Sequence, residues 1–304
     1  MHKPVLLNEV ISYLDPKPNQ NFIDCTINGG GHSLEILKRI KPDGKILGVE
    51  WDKEVIERLG NSEKRKEFGK NLILVNDSYV NLKTIVYSVR VKSIAEKNNF
   101  CSVNGILFDL GLSSWDLEGS GRGFSFQKDE PLDMRYSRES ELTAEEIVNQ
   151  WPEDDLVGIF REYGEERRAR PIAKVICMSR KRSAIKTTVE LVEIIRKAIP
   201  TRFQFGRTHF ATRVFQALRM AVNDELGNAR KGLEAALEVI APGGRIAVIS
   251  FHSLDDRLVK HYFREKSKDG VLKILTKKPV VPAEEELGFN PRARSAKLRV
   301  VEKI

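Results

Sequence analysis

No apolar run in the 304 residues approaches the roughly 20 residues of a transmembrane span, and the longest, such as 246–249, fall far short. Cysteine is scarce as well. Cys25, Cys101 and Cys177 form no CxxC pair and sit among apolar neighbours, which excludes a disulfide frame and argues against a zinc site. They read as small buried residues in a reducing cytoplasm, and no metal is expected. The start, Met1-His2-Lys3-Pro4, leads at once into patterned sequence without the apolar region of a signal peptide, so a cytoplasmic location is expected and no membrane partner. Repeats and low-complexity tracts are absent. What is present is a globular balance, 41% hydrophobic and 31% charged, which excludes wholesale disorder. The net charge of +8 is compatible with a nucleic-acid partner without demanding one.

The first third alternates strands with helices. Residues 21–27 read as a buried strand, followed by the turn Asn28-Gly29-Gly30-Gly31-His32 and a helix over 33–40. A second strand over 45–50 leads into a helix over 54–59, and a third over 71–75 into a helix from about Val80. A fourth strand, 103–109, ends at Leu110-Gly111. Apolar strands separated by helices mean a parallel sheet covered on both faces.

That rhythm then breaks. From 113 to 213 helix signals accumulate: Thr143 with Glu146 and Thr187 with Glu190 both fit the capping box, and 165–182 is helical in pattern with Pro171 a kink or boundary. The rhythm resumes with an amphipathic helix over 212–226, a helix over 233–240, a turn at Pro242-Gly243-Gly244, a fifth strand over 245–251 and a helix over 253–266. Residues 272–275 and 296–301 could close the sheet as a final pair. The expected organisation is an α/β domain from 1–112 and 214–304, interrupted by a helical insertion, 113–213. Charge within the insertion is lopsided. Residues 113–160 hold 4 basic and 12 acidic side chains, net −8, whereas 161–213 hold 14 basic and 5 acidic, net +9. Either two solvated helix surfaces attract one another, or the basic half also tracks a phosphate backbone.

Three strand ends carry a nucleoside-binding pattern. Gly29-Gly30-Gly31 lets a ligand approach the backbone near the positive end of a helix. Glu50 ends the second strand, nineteen residues after Gly31, where a carboxylate can accept from both hydroxyls of a ribose. Asp109 ends the fourth strand and reaches the same edge. The glycines depart from GxGxxG, because Leu34 follows where the third glycine belongs. S-adenosylmethionine, which needs no pyrophosphate cradle, is favoured over a dinucleotide.

Other segments are harder to assign to packing alone: Arg122-Gly123-Phe124-Ser125-Phe126, Pro131-Leu132-Asp133-Met134-Arg135, His252 beyond the fifth strand, and the four basic residues of 290–299. Each also has a bland reading. His252 can cap a strand end, His32 can help start a helix, Phe124 and Phe126 can plug a local core, and Arg292 and Arg294 can serve a solvated turn.

Taken in order, these words resemble the MraW/RsmH family of S-adenosylmethionine-dependent methyltransferases, which act on N4 of a cytidine in small-subunit ribosomal RNA. The similarity runs almost end to end. It includes His2-Lys3-Pro4-Val5-Leu6-Leu7-Asn8-Glu9, Gly29-Gly30-Gly31-His32-Ser33, Leu107-Phe108-Asp109-Leu110-Gly111-Leu112-Ser113-Ser114 and the two segments at 122–126 and 131–135. It continues through Tyr163-Gly164-Glu165-Glu166, Phe215-Gln216-Ala217-Leu218-Arg219, Phe251-His252-Ser253-Leu254 and Asn290-Pro291-Arg292-Ala293-Arg294-Ser295. The resemblance implies a Rossmann-like class I methyltransferase domain interrupted by a helical domain. It implies 16S ribosomal RNA of the small subunit, in the decoding region, as partner and substrate, and S-adenosylhomocysteine as product. It is compatible with a homodimer and leaves the oligomeric state open.

By position, the resemblance assigns cofactor contacts to Gly30, Gly31, His32, Glu50, Tyr79 and Asp109. Amides at Gly30 to His32 would hold the methionyl carboxylate, Glu50 the ribose, and Tyr79 would lie against adenine. Glu50 stands where the family usually has aspartate. Ser113-Ser114-Trp115-Asp116 stands where it commonly reads Ser-Ser-Pro-Gln, so Asp116 replaces a glutamine counted among the cofactor contacts. The cytosine exocyclic amine is a poor nucleophile, because its lone pair is delocalised into the ring. It must be aligned with the sulfonium methyl and its hydrogen accepted, with Asp109 the first candidate acceptor unless it serves the cofactor's amino acid instead. The base must be unstacked to enter the cleft, with the basic half of the insertion and the arginines of 292–299 holding the backbone. A nicotinamide-dependent oxidoreductase and a non-catalytic RNA-binding protein are the rival readings.

Overall fold

The computed structural model describes residues 4–96, 100, 102–206 and 208–304. His2 and Lys3 of the first motif, and Cys101, lie outside the described residues. Two compact units are present: Met1–Gly111 with Leu226–Ile304, and Leu112–Glu225.

Seven strands make one sheet in the first unit: β1 (Phe22–Asp24), β2 (Ile46–Glu50), β3 (Leu72–Asn76), β4 (Val103–Leu110), β5 (Ile240–Ser250), β6 (Leu272–Ile274) and β7 (Lys297–Lys303). Their spatial order is β3-β2-β1-β4-β5-β7-β6. The first five run parallel, while β7 lies antiparallel between β5 and β6, so the last two strands do close the sheet as a pair. Strand order reverses direction between β1 and β4. Crevices at such a switch point, outside the carboxyl ends of the strands, are where ligands bind in doubly wound, Rossmann-like sheets.

Successive strand residues face opposite ways and feed two separate cores. Ile46, Leu107, Ala247 and Ile249 pack with Val10 and Leu14 of the helix Leu7–Leu14 and with Ile36, Leu37 and Ile40 of Gly31–Ile40. Leu47, Ile106, Phe108, Ile246 and Val248 pack on the other face. Their partners include Ile85 and Val86 of Leu82–Glu96, Leu233 of Glu225–Val239, and Val259 and Phe263 of Ser253–Lys268. Cys25 is buried there, whereas Cys177, in the second unit, is only half-buried. No described helix is long and apolar enough to cross a membrane.

Several sequence expectations shift. The first strand is shorter than 21–27, because the chain bends after Asp24, whose carboxylate accepts from the Thr26 amide (3.2 Å). Pro242-Gly243-Gly244 is a bulge inside β5 and not a turn before it. Val103 and Gly105 of β4 pair with Ile240 and Arg245, so the extra residues loop out, with Gly243 at φ 75°. An unexpected short helix, Glu63–Phe68, precedes β3 and supplies buried Phe68.

The second unit is built mainly on helices Ala144–Gln150, Glu153–Glu162, Ala169–Arg180, Thr188–Ala198 and Thr212–Asn223. Both capping boxes form: Thr143 and Thr187 accept from the amides of Glu146 and Glu190, whose carboxylates accept from the cap amides in return. The helix begins at Ala169, not at Glu165, because Glu165 is left-handed (φ 49°). Pro171 is then its third residue, where the missing N–H had no partner within the helix, and no kink is needed. Thr212–Asn223, placed by sequence with the returning α/β rhythm, instead contributes Val214, Phe215, Ala217 and Leu218 to the core of the second unit. Amphipathicity showed that the helix buries a face, but not against which core.

Candidate active site

Asp24, Glu50 and Asp109 come from adjacent parallel strands and stand at the same carboxyl edge of the sheet. Below them the turn after β1 is shaped by its backbone. Gly30 takes φ 68°, a left-handed conformation that glycine adopts without steric cost. Its amide donates to Ile27 O at 2.7 Å, and its carbonyl accepts from Leu34 N at 2.9 Å, starting the helix Gly31–Ile40. A Cβ at Gly31 would lie 2.5 Å from Pro4 Cγ, whereas one at Gly29 would meet nothing within 4 Å. The glycine turn is therefore closed on one side by the N-terminal segment and open on another. That is the shape a backbone-bound ligand group requires.

Glu50 is held from both sides. Its Oε2 accepts from the Asn28 amide (3.2 Å) and its Oε1 from the Asp52 amide (3.1 Å), fixing the carboxylate beside the glycine turn. Tyr79 follows β3 in a short 3-10 turn, its ring edge-on to Phe108 of β4 at 5.5 Å between centroids. A Cβ at Gly232 would come within 2.5 Å of that ring, so Gly232 leaves the space in which Tyr79 sits.

Asp109 is the electrostatically unusual member. Its amide donates to Thr26 Oγ1 at 2.8 Å, which joins the ends of β4 and β1. Its Oδ1 is shielded from solvent and has no hydrogen-bond partner among the described residues. The nearest basic group, His32 Nδ1, is 3.8 Å from Oδ2. Burial without a cation pushes the Asp109 pKa up to about 7. His32 cannot supply the missing charge. Burial lowers its pKa although neighbouring Asp24 opposes this, and Nε2 donates to Val5 O at 2.9 Å, leaving Nδ1 as the acceptor in the neutral ring.

Asp24, a residue the sequence pattern marks only as part of the first strand, organises this edge. Its Oδ2 accepts from Ser33 Oγ (2.6 Å) and its Oδ1 from Thr26 N, so one carboxylate ties β1 to the following helix. Burial raises its pKa, partly offset by the Ser33 hydrogen bond. An acid at the end of the strand before a glycine turn was the available signal.

Of the expected contacts, Gly30, Gly31, His32, Glu50, Tyr79 and Asp109 all lie in the first unit. Asp116 belongs to the second, where its Oδ2 accepts from Ser113 N and Ser113 Oγ, both at 2.7 Å, in a capping box of the helix Ser114–Glu118. His252 caps the helix Ser253–Lys268: Nδ1 accepts from Asp255 N (3.3 Å) and Nε2 is 2.8 Å from Asp255 Oδ2. Arg292 and Arg294 are exposed, but Arg299 is buried and donates through Nε and Nη2 to Asp256 at 2.7 and 3.2 Å. Arg299 is therefore withdrawn from any set of backbone-holding arginines.

A model described as the MraW methylase family matches residues 1–304. The chain is 46% identical over 306 residues to the ribosomal RNA small subunit methyltransferase H of Kosmotoga olearia, covering 100% of this chain and 97% of the relative. It is 45% identical over 318 residues to the protein of the same name from Halothermothrix orenii, covering 100% and 98%. Among solved structures, an rRNA methylase from Streptococcus thermophilus is similar over 100% of this chain and 99% of its own, at 11% identity and a TM-score of 0.43.

Proposed function

The chain belongs to the MraW methylase family, and from that premise we propose that it methylates small-subunit ribosomal RNA with S-adenosylmethionine, at N4 of a cytidine in the decoding region of 16S RNA. The names of its relatives support the RNA substrate. The resemblance carried by the sequence motifs supports the cytidine. Membership of a methylase family sets aside both the oxidoreductase and the non-catalytic readings.

One observation carries the chemistry: the unpartnered Oδ1 of Asp109 at the switch point of the sheet. The residues present fit the cofactor. Amides of Gly30, Gly31 and His32, at a helix start, would hold its carboxylate, Glu50 its ribose, and the Tyr79 ring its adenine. When bound, the cofactor supplies an electrophilic methyl group on a sulfonium. Asp109 accepts a hydrogen from the cytosine amine, turning the lone pair outward, and its carboxylate takes the proton the amine sheds as it is methylated. A base must leave its stack to reach this edge. Asp109 has one competing employment, as partner of the cofactor's ammonium, and its burial with a raised pKa supports that reading too.

Transfer of labelled methyl groups to isolated small subunits, followed by nucleoside analysis, tests the whole assignment. Label at N4 of one cytidine is expected; label on another atom, or none, refutes the finer claim. Asp109→Asn separates the two employments. Loss of turnover with cofactor affinity retained marks the proton acceptor, and loss of affinity marks the ammonium partner.

A further inference from the structure

Building on the RNA-directed reading above, we infer that the second unit carries a stacking surface for unpaired nucleotides, formed by residues 201–206 and 208–210. Phe205 is 85% exposed and Phe203 43%, an unusual display of aromatic surface in one short stretch. The Arg168 and Arg202 guanidinium carbons lie 3.9 and 4.8 Å from the centroid of the Phe203 ring. A second aromatic group follows a few residues on in the chain. Phe126 and His209 stack at 4.5 Å with planes 22° apart, and His209 and Phe210 follow at 4.2 Å. Arg196, paired with Glu193 at 2.7 Å, stands over Phe210 at 5.7 Å.

This stretch is fastened in place. Gln204 Nε2 donates to Ile199 O (2.7 Å) and Arg196 O (3.3 Å), pinning the turn Thr201–Phe203 to the end of the helix Thr188–Ala198. Phe126 is braced edge-on by buried Phe215 at 5.1 Å. Burial and the nearby Arg196 both lower the pKa of His209, which favours a neutral stacking ring.

The choice of partner follows from what alternates on this surface. Aromatic faces are interleaved with guanidinium groups, in a stretch whose sequence from 161 to 213 carries +9. An unpaired nucleotide offers both complements, a π-face and a phosphate, whereas a duplex hides its base faces. An apolar protein partner would match the phenylalanines and leave the arginines unanswered.

The test uses the full chain and a fluorescent single-stranded oligouridylate of about 12 nucleotides, with a duplex of equal length beside it. Phe205→Ala is expected to weaken single-strand binding about tenfold or more while leaving its salt dependence unchanged, and Phe205→Trp to retain it. Arg202→Gln should lower the log–log salt slope by about one unit. None should move S-adenosylmethionine affinity or melting temperature. The inference is overturned if Phe205→Ala binds the single strand like wild type. It is equally overturned if the loss is the same for duplex, or if Phe205→Ala instead abolishes a self-association seen by sedimentation. Methyl transfer measured in parallel separates the two claims. A stacking effect without transfer defeats the proposed function alone; transfer with binding and KM unmoved by Phe205→Ala defeats the surface alone.

Discussion

His32 Nδ1 stands 3.8 Å from Asp109 Oδ2, too far for a hydrogen bond and with the wrong protonation preference for an ion pair. Burial lowers the histidine pKa and raises that of the aspartate, so each disfavours its own charge. Such an edge is comfortable neutral and strained when Asp109 ionises. It favours a ligand that brings a cation or a hydrogen-bond donor to the Asp109 carboxylate.

A pH dependence of stability follows. Asp109 holds its proton up to about pH 7 in the folded chain, against about 3.9 when unfolded. Between these values the folded state binds a proton that the unfolded state has released, so stability falls as pH rises across the window and levels above it. Asp109→Asn is free of this penalty. Melting of both proteins should coincide near pH 4 and diverge toward pH 8, the variant being more stable by up to about 4 kcal/mol. Parallel curves would mean that the carboxyl is already satisfied.

The contact between Gly31 and Pro4 is testable by a rescue. Gly31→Ala places a Cβ 2.5 Å from Pro4 Cγ and 3.3 Å from its Cδ, an overpacking expected to cost about 1–3 kcal/mol. Val5, next in the chain, accepts from His32, so displacing Pro4 should disturb His32 as well. Pro4→Ala removes both offending atoms, and the double variant should recover most of the stability, a coupling visible in a four-protein cycle by thermal melting. Strictly additive costs would place the clash elsewhere.

How much of this could be read beforehand depends on whether each residue acts through its own segment. Glu50 and Asp109 were legible because strand period and strand end place a side chain without reference to the rest of the fold. The same holds for the capping boxes at Thr143 and Thr187, which are local. Arg122-Gly123-Phe124-Ser125-Phe126 and Pro131-Leu132-Asp133-Met134-Arg135 were not legible, because each is explained by the other. Arg122 is fully buried and donates to Arg135 O (3.2 Å) and Tyr136 O (2.9 Å), while Met134 N donates to Arg122 O (2.8 Å). Left-handed Gly123 passes against Pro131 O, where a Cβ would collide. Phe124 is buried against Tyr136, a core plug. The exposed Phe205 is not legible for the opposite reason, since pattern alone gives no sign that an aromatic is left uncovered.

Asp116 offers a prediction in which local structure limits function. Its Oδ2 closes the capping box with Ser113, and Asp116→Asn keeps an acceptor there. The expected cost is below about 1 kcal/mol, with Asp116→Ala reaching about 1 kcal/mol or more. If Asp116 also faces the cofactor's ammonium, Asp116→Asn should weaken S-adenosylmethionine binding modestly, and an analogue lacking the amino group should bind both proteins alike. Unchanged calorimetry with S-adenosylmethionine would assign Asp116 to the helix alone.

The basic residues divide by what already occupies them. Arg170 pairs with Asp154 at 3.2 Å, basic half to acidic half as the bland reading of the charge asymmetry expects, and Arg180 donates to Val148 O at 2.9 Å. Arg167, Lys181 and Arg182 are exposed. Neutralising these three should reduce the salt dependence of RNA binding by about one log–log unit for each phosphate left without its cation, with cofactor affinity unmoved. Arg170→Gln and Arg180→Gln should reduce it less, because their guanidiniums are partly spent within the protein. Arg299→Ala supplies the contrast. It leaves Asp256 buried without its bidentate partner, with Lys297 Nζ still at 3.4 Å. The expected destabilisation is about 3–5 kcal/mol with no change in salt slope. A slope that falls with Arg299→Ala but not with the three exposed residues would reverse this division and place the proposed RNA-binding surface at the end of the sheet, not in the second unit.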